Sequence, residues 1–370
     1  MSKELRILYV EDIDESRNDL IDLLSGEEIN GYTISCDGEA SFDTAINRCN
    51  DYHIVILDIF QGEATQGGVN LGSGTFEKIK EKVFVPVIFY SGYTRNVAEL
   101  KSQVVGVAHK GDGGYAELKN ELERLTKHNI PFLRENVHLY FEEEYKKYFW
   151  EVIQKQNNIF TPESDDYSIG YMLLRNVADS LSRKQIKLII GDEAIHEDKV
   201  HPMEFYIYPS NTGEFENGEI IKNKGTEEIY VIVTPSCDFI ERFNKRGESV
   251  GRNAEKILII KAIPLTETSE YRKYQANQNA DARNALIKLI NSSKGDRFFF
   301  LPGTPFLTNR VLDFQQTAAT DYESLSNNYE RVAKLDSPYA QSMSASFIRY
   351  FNRVGYPDID TEYIINNLII

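Results

Sequence analysis

Five polar residues of this sequence stand at the ends of apolar runs that have the character of buried strands. They are Glu11, Asp12, Asp58, Ser91 and Lys110. The carboxyl ends of parallel strands lie along one edge of a sheet, and ligands bind there at the point where the strand order reverses. Three carboxylates at that edge repel each other and require a cation, and oxygen ligation of this kind suits Mg²⁺. The backbone carbonyl of Phe60 is a further candidate ligand.

These residue types together suit phosphoryl transfer. A phosphoryl group on Asp58 would be an acyl phosphate, formed by a carboxylate nucleophile. In such a site Mg²⁺ neutralises charge on the transferring group, Lys110 holds one phosphate oxygen and Ser91 hydrogen-bonds another. A lone acidic pair or strand-end Asp is more often a helix cap or a solvated turn. The five residues in this order favour the phosphoacceptor interpretation.

Strand and helix patterns alternate over the part of the chain that carries these residues. Strand-like runs occur at Leu5–Val10, Tyr32–Ser35, His53–Leu57, Val85–Tyr90 and Val104–His109. Helical spacing occurs at Ser16–Leu24, Ser41–Cys49, Thr75–Val83 and Tyr115–Lys127. Five βα units in about 125 residues predict a doubly wound (βα)5 domain with a parallel sheet, which we place at residues 1–128.

This arrangement resembles the response-regulator receiver family of two-component signalling over residues 4–127. The resemblance rests on the segments ILYVEDID, HIVILDIF, VIFYSG and VAHKGD. It implies that the five residues named first are, in order, the acidic pair, the phosphorylation site Asp58, the switch hydroxyl and the lysine of the site. It also implies a phosphohistidine donor, on a sensor histidine kinase or a phosphotransfer protein.

Three features of the sequence depart from that family. The loop Gln61–Gly74 is long and glycine-rich where the family has a short turn with proline. Val107 stands where many receivers carry an aromatic switch residue, and Gly111 replaces the proline that usually follows the lysine. A valine cannot swing a ring between buried and exposed states, so the coupling between Ser91 and the fifth strand has no aromatic residue to carry it.

The remainder of the chain is predicted as a helical connector, residues 129–185, and an α+β domain of unknown type, residues 186–370. Strand-like runs in the latter are Phe205–Tyr208, Glu228–Val233, Lys256–Ile260, Phe298–Leu301 and Val311–Phe314, and helical spacing returns at Thr320–Val332 and Tyr339–Val354. At the level of pattern, this stretch resembles a small SH3-like barrel. In the connector, the aromatic helix Tyr140–Gln154 favours packing, with a homodimer or an interdomain contact as its use.

Cys237 lies in the distinctive segment Thr234–Asp238. One hypothesis makes Cys237 a nucleophile with His196 or His201 as its base, and another makes these three residues zinc ligands. We favour a turn at a strand end that holds a small buried cysteine, because no characteristic spacing links the cysteine to either histidine.

Composition limits the partners of the protein. The net charge is −16, from 41 basic and 57 acidic residues, so nucleic-acid binding is disfavoured. No apolar run is long enough to span a membrane. Three cysteines and the absence of a secretory signal at the N-terminus favour a reducing cytoplasm.

Three functions follow as hypotheses. In the first, a cytoplasmic response regulator uses phosphorylation of Asp58 to gate a protein-interaction module that does not bind DNA. In the second, the receiver is a phosphate sink that drains a shared kinase, and by resemblance such receivers also occur in anti-phage two-component systems. In the third, the C-terminal region is an enzyme that uses Cys237. We expect no catalysis beyond phosphorylation and dephosphorylation of the receiver itself in the first two.

Overall fold

The structure is a computed structural model of the 370-residue chain. It describes residues 3–61, 69–70, 72–155, 166–191, 199–210, 213–293, 296–353 and 358–368. The chain divides into two compact units, Met1–His196 and Glu197–Ile370. Each unit is described by itself below.

The first unit alternates strands and helices. Its strands are β1 (Lys3–Val10), β2 (Glu28–Ile29), β3 (Tyr32–Glu39), β4 (Ile54–Leu57), β5 (Phe60–Gln61), β6 (Val69–Asn70), β7 (Val87–Ser91) and β8 (Val105–His109). Its helices are α1 (Asp14–Leu24), α2 (Phe42–Arg48), α3 (Gly72–Lys82), α4 (Gly114–Thr126), α5 (Ile130–Lys147), α6 (Asp166–Ser180) and α7 (Arg183–Ile190). A π-helix, Tyr148–Ile153, continues α5.

Six of these strands form one sheet in the order β2-β3-β1-β4-β7-β8. All neighbours are parallel except the short β2, which is antiparallel to β3. The prediction of an α/β fold with a parallel sheet is therefore confirmed. The assignment to the doubly wound receiver fold stays a prediction.

Both faces of this sheet are covered. On β1, Ile7 and Tyr9 pack in a cluster that includes the apolar side chains of α1 and α4. The alternate residues Leu8 and Val10 pack in a second cluster with those of α2 and α3. Because side chains alternate between the faces of a strand, the part of β1 that is covered on both sides, residues 7–10, is apolar throughout.

The segment between β7 and β8 differs from the expected βα repeat. Residues 92–104 form two three-residue 3₁₀ turns, Thr94–Asn96 and Ala98–Leu100, and no α-helix. Val97 is the one buried residue of this segment, so it lacks the apolar stripe that would hold a helix against the sheet. The prediction of five complete βα units is wrong at this position.

The predicted connector packs within the first unit. Phe132 of α5 is buried against the sheet, and His53 Nε2 lies 2.8 Å from Glu135 Oε2. In the aromatic helix, Tyr148 is buried while Phe149 and Trp150 are exposed, at 49% and 59%. The expected packing role thus applies to part of that helix. The residue boundaries given for the three domains stay predictions.

The second unit is built on antiparallel strands. They are β9 (Tyr206–Ile207), β10 (Glu219–Asn223), β11 (Ile229–Ile232), β12 (Arg242–Phe243), β13 (Ser249–Gly251), β14 (Ile257–Pro264), β15 (Phe298–Leu301), β16 (Arg310–Thr320) and β17 (Tyr329–Leu335). The helices are α8 (Ser269–Ala276), α9 (Ala280–Ile290), α10 (Tyr322–Asn328), α11 (Tyr339–Phe351) and α12 (Thr361–Leu368).

Seven of these strands form a sheet in the order β15-β16-β14-β11-β10-β17-β9, and β12 pairs with β13 as a separate hairpin. The prediction of mixed α and β structure is confirmed. The sheet has two edge strands, so its likeness to an SH3-like barrel goes no further than the curvature of a half-barrel. The helix predicted at Thr320–Val332 is wrong beyond Asn328, because residues 329–332 belong to β17, which pairs with β10.

Candidate functional site

The backbone brings the ends of neighbouring strands together at one edge of the parallel sheet. Asp58 N donates to Val10 O at 3.1 Å, which places Asp58 beside the end of β1. Lys110 N donates to Ser91 O at 2.9 Å, which joins the ends of β7 and β8. The strand order then sets Glu11, Asp58, Ser91 and Lys110 along this edge, as the sequence predicted.

Glu11 is fully buried and is held by several donors. Its Oε2 accepts a hydrogen bond from the Tyr9 hydroxyl at 2.8 Å, and its Oε1 accepts one from Ile13 N at 3.1 Å. The Lys110 ammonium also contacts Oε2. A buried carboxylate needs such partners because its desolvation is otherwise unfavourable by several kcal/mol.

Asp58 is buried at 8% exposure beside this ion pair. Its Oδ1 accepts from Ile59 N at 2.6 Å, its carboxylate is hydrogen-bonded by the Ser91 side chain, and its Oδ2 lies 3.8 Å from Lys110 Nζ. Burial raises the pKa of Asp58 to about 6, and the charge of Glu11 adds to this against the opposing effects of Ser91, Lys110 and Ile59 N. The site is therefore an acidic cluster in which burial disfavours the charged form of Asp58.

The predicted magnesium ligands agree with that ion in donor chemistry. Asp12 follows Glu11 directly and is half-buried, and Phe60 begins β5 two residues after Asp58. Three carboxylates and one carbonyl are oxygen donors of the kind that Mg²⁺ takes. Across the residues that the structure describes, no three acidic, histidine or cysteine side chains are grouped so as to hold a metal ion. The ammonium of Lys110 lies in this cluster instead, so a Mg²⁺ site would require the carboxylates to rearrange.

Gly72 allows the segment that follows Asp58 to pack closely against the backbone of Asp58 and Ile59. Gly72 N donates to Ile59 O at 2.9 Å, and a Cβ at Gly72 would lie 2.2 Å from Asp58 O and 2.6 Å from Ile59 Cα. Only glycine fits such a close approach of two backbones. Helix α3 consequently begins at Gly72, inside the loop predicted at residues 61–74, of which residues 62–68 and 71 lie outside the described part of the chain.

The structure keeps the predicted C-terminal candidates in local contacts. Cys237 is exposed, which corrects the expectation of a buried cysteine, and its Sγ lies 3.7 Å from Asp238 Oδ1 in a 3₁₀ turn. The exposure follows from the position of the turn, which leaves the sheet after β11. His201 caps another 3₁₀ turn, where its Nδ1 accepts from Met203 N at 3.3 Å. His196 lies outside the described residues. The hydrogen bonds of Cys237 and His201 in the described part of the chain are thus made to residues near them in sequence, and the nucleophile hypothesis stays a prediction.

Two residues of the site were missed by sequence reasoning. Tyr9 was assigned to the apolar strand, and its hydroxyl bond to Glu11 follows only from strand geometry, in which residues two apart point to the same side. Gly72 was one of several glycines in the loop. Nothing in the sequence distinguishes Gly72 from Gly74, although a Cβ added at Gly74 would meet no atom within 4 Å.

Comparisons with known proteins give weak structural likeness alone. No family model matches the chain, and no curated protein matches it. Similar solved structures include NtrX from Brucella abortus in complex with ATP, with 18% identity over 40% of this chain and 35% of that one and a TM-score of 0.28. The chain thus spans about a third of NtrX.

Two further solved structures match this chain over nearly their whole length. One is the phosphorylated P1 domain of CheA3 in complex with CheY6 from R. sphaeroides, with 13% identity over 32% of this chain and 96% of that one and a TM-score of 0.22. The other is a two-component transcriptional regulator AraC from Clostridium phytofermentans, with 18% identity over 36% and 98% and a TM-score of 0.24. These neighbours are proteins of two-component signalling, and TM-scores this low do not assign the chain to their family.

None of the described helices combines the length and the apolar character that crossing a bilayer requires.

Proposed function

We propose that the first unit accepts a phosphoryl group on Asp58 from a phosphohistidine of a sensor histidine kinase or a phosphotransfer protein. The observation that carries this proposal is the buried cluster in which Lys110 contacts Glu11 and lies 3.8 Å from Asp58, while Ser91 hydrogen-bonds the same carboxylate. A carboxylate nucleophile, a cation and a hydroxyl donor are the groups that stabilise an acyl phosphate.

The transfer step is a displacement at phosphorus. A carboxylate oxygen of Asp58 forms the new O–P bond, the N–P bond of the donor breaks, and the electron pair returns to the imidazole, which takes up a proton. Lys110 and Ser91 then bind phosphoryl oxygens, so Lys110 has to move from Glu11 toward Asp58. Glu11, Asp12, Asp58 and the Phe60 carbonyl are the residues that would hold Mg²⁺. When bound, that ion supplies positive charge to the transferring group.

The basicity of Asp58 supports this role. Its pKa of about 6 lies above the ordinary value of 3.8, mainly because the group is buried. A carboxylate with a raised pKa is more basic, and it is still ionised in most molecules at about pH 7. The carboxylate of Asp58 therefore carries the negative charge that attack on phosphorus requires, and its buried surroundings favour neutralisation of that charge.

The direct test is intact mass after incubation with acetyl phosphate and Mg²⁺. The wild type should gain about 80 Da, the mass of one phosphoryl group, and the gain should disappear with EDTA and in Asp58→Asn. Asp51→Asn is the matched control, since Asp51 is exposed and precedes the same strand at its opposite end. An adduct that persists in Asp58→Asn would refute the proposal.

A second candidate function, the phosphate sink, is favoured by the surface beside β8. Val107 carries no aromatic ring, and residues 92–104 contain 3₁₀ turns where a movable helix would be needed to transmit the signal along this side. Size-exclusion chromatography of the phosphorylated protein separates the two functions. An elution volume unchanged by phosphorylation is expected for a sink, and a shift is expected where phosphorylation gates assembly.

A further inference from the structure

An aromatic pair connects the two segments that leave the acceptor and its hydroxyl partner. Phe60 lies two residues after Asp58, and Tyr93 lies two residues after Ser91. Their rings meet edge to face, with centroids 5.5 Å apart and planes at 71°. A single edge-to-face contact of this kind is weak enough to be rearranged by a change at the site.

The side chain of Ser91 links this pair to Asp58. Tyr93 N lies 3.5 Å from Ser91 Oγ and donates a long hydrogen bond to it, while Ser91 also hydrogen-bonds Asp58. If the Ser91 hydroxyl turns to a phosphoryl oxygen on Asp58, the geometry of its bond with Tyr93 N must change. The backbone of Tyr93 is thus the next group along the chain to respond.

The other ring is attached to the acceptor side of the site. Phe60 follows the acceptor strand and pairs with Asn70 of β6, so its backbone is part of the hairpin β5–β6. Its carbonyl is one of the oxygen atoms that we propose for Mg²⁺. A change at Asp58 therefore acts on both members of the pair, through Ser91 on one side and through the backbone of residues 58–60 on the other.

Tyr93 also has the exposure that a signal at the surface requires. Its side chain is 47% exposed, and the first 3₁₀ turn, Thr94–Asn96, begins at the next residue. Val107, in contrast, is a half-buried valine on β8 that cannot change its exposure by rotating a ring. The aromatic surface nearest to Ser91 is therefore on the β7 loop.

We propose that the pair Phe60–Tyr93 is the place where phosphorylation of Asp58 changes the surface of the first unit, in place of an aromatic residue on β8. This inference rests on the proposed function. Ser91 turns to the phosphoryl group, the Tyr93 backbone loses its acceptor, and the Tyr93 ring leaves its edge-to-face contact with Phe60.

A fluorescent reporter at Tyr93 tests this. Trp150 is the single tryptophan of the chain, so Trp150→Phe with Tyr93→Trp gives a protein whose tryptophan emission comes from position 93 alone. With acetyl phosphate and Mg²⁺, the emission of this variant should shift in proportion to the fraction of adduct measured by intact mass. Adding Phe60→Leu, which keeps the backbone carbonyl, should reduce the shift per phosphorylated molecule.

The matched control places the tryptophan at Val104 in the same background. Val104 is 48% exposed, close to the value of Tyr93, but it precedes β8 at the opposite end of that strand from Lys110. Its emission should not change. Equal shifts at both positions, or a normal adduct with no shift at position 93, would overturn the inference and leave the proposed function intact. Absence of the adduct in the wild type, with acetyl phosphate and with a phosphohistidine donor alike, would overturn both.

Discussion

Replacing Asp58 with asparagine should make the unphosphorylated protein more stable at neutral pH. The substitution keeps the size of the side chain and an oxygen that can accept from Ile59 N, and it removes a buried negative charge that lies near Glu11. Site residues that carry unfavourable charge commonly lower the stability of the fold, so removing the charge raises it.

The magnitude follows from the raised pKa of Asp58. The group has a pKa of about 6 in the folded chain against 3.8 for an unperturbed aspartate. Each unit corresponds to about 1.4 kcal/mol, so the charged form disfavours folding by up to about 3 kcal/mol once both states are ionised. Because the pKa is raised on folding, this unfavourable contribution is fully present above about pH 6 and disappears as the pH falls below 3.8. A gain of up to about 3 kcal/mol is expected at about pH 7.5, and this figure already includes the attraction of Asp58 to Lys110, which holds the pKa lower than burial alone would.

Urea unfolding in EDTA, followed by tryptophan fluorescence, measures this gain. Trp150 lies in the first unit, so its emission reports on the unit that contains Asp58. Asp51→Asn serves as the control, because Asp51 is exposed and should change the free energy of unfolding little. The gain in Asp58→Asn should shrink when the pH is lowered from about 7.5 to about 4.5.

Two results would refute this reasoning. One is an Asp58→Asn protein that is less stable than the wild type at neutral pH, which would mean that Asp58 is stabilised as a carboxylate. The other is a gain that does not depend on pH, which would mean that packing and not charge accounts for the difference.

Three further predictions concern the surroundings of the site. Gly72→Ala should destabilise the first unit and reduce the adduct with acetyl phosphate, because its Cβ would meet backbone at 2.2 Å. Gly74→Ala, in the same helix, should have neither effect. Urea unfolding measures the stability, and intact mass measures the adduct. Lys110→Met should lower the free energy of unfolding by about 3–5 kcal/mol, since it leaves the fully buried Glu11 without its ammonium partner; a wild-type urea midpoint would contradict this. Burial lowers the pKa of His53 below 6.5, so the pH dependence of its ring proton shifts should show a midpoint below that value, and a midpoint above it would be contrary to the structure.

The sequence predicted the parallel sheet and the residues along its edge because both depend on local patterns. Uninterrupted apolar runs mark strands that are covered on both faces, and a polar residue at the end of such a run, Asp58 for example, must lie at the sheet edge. The strand order sets Lys110 on the same edge as Glu11, although β4 and β7 lie between their strands, so the contact between the two side chains was not predictable from local patterns.

Other features depend on contacts that a local pattern does not contain. Residues 329–332 of the strand Tyr329–Leu335 were predicted as helix, because the pairing of this strand with Glu219–Asn223 is not visible in the local pattern. The fit of Gly72 against Asp58 O depends on how the insertion returns to the sheet. The 3₁₀ turns after Ser91 replace a helix because Val97 alone is buried there. In each case the observed structure is stabilised by packing that a local pattern does not show, because the segments are separated along the chain or lack a regular period.

The central claim is that Asp58 is the phosphoacceptor, and peptide mapping after borohydride reduction tests it most directly. Reduction converts an aspartyl phosphate to homoserine and leaves other carboxylates unchanged, so the modified residue can be read from the fragment masses. After incubation with acetyl phosphate and Mg²⁺, homoserine is expected at position 58 and nowhere else. Homoserine at Asp12, or no conversion even after incubation with phosphohistidine donors, would contradict the account.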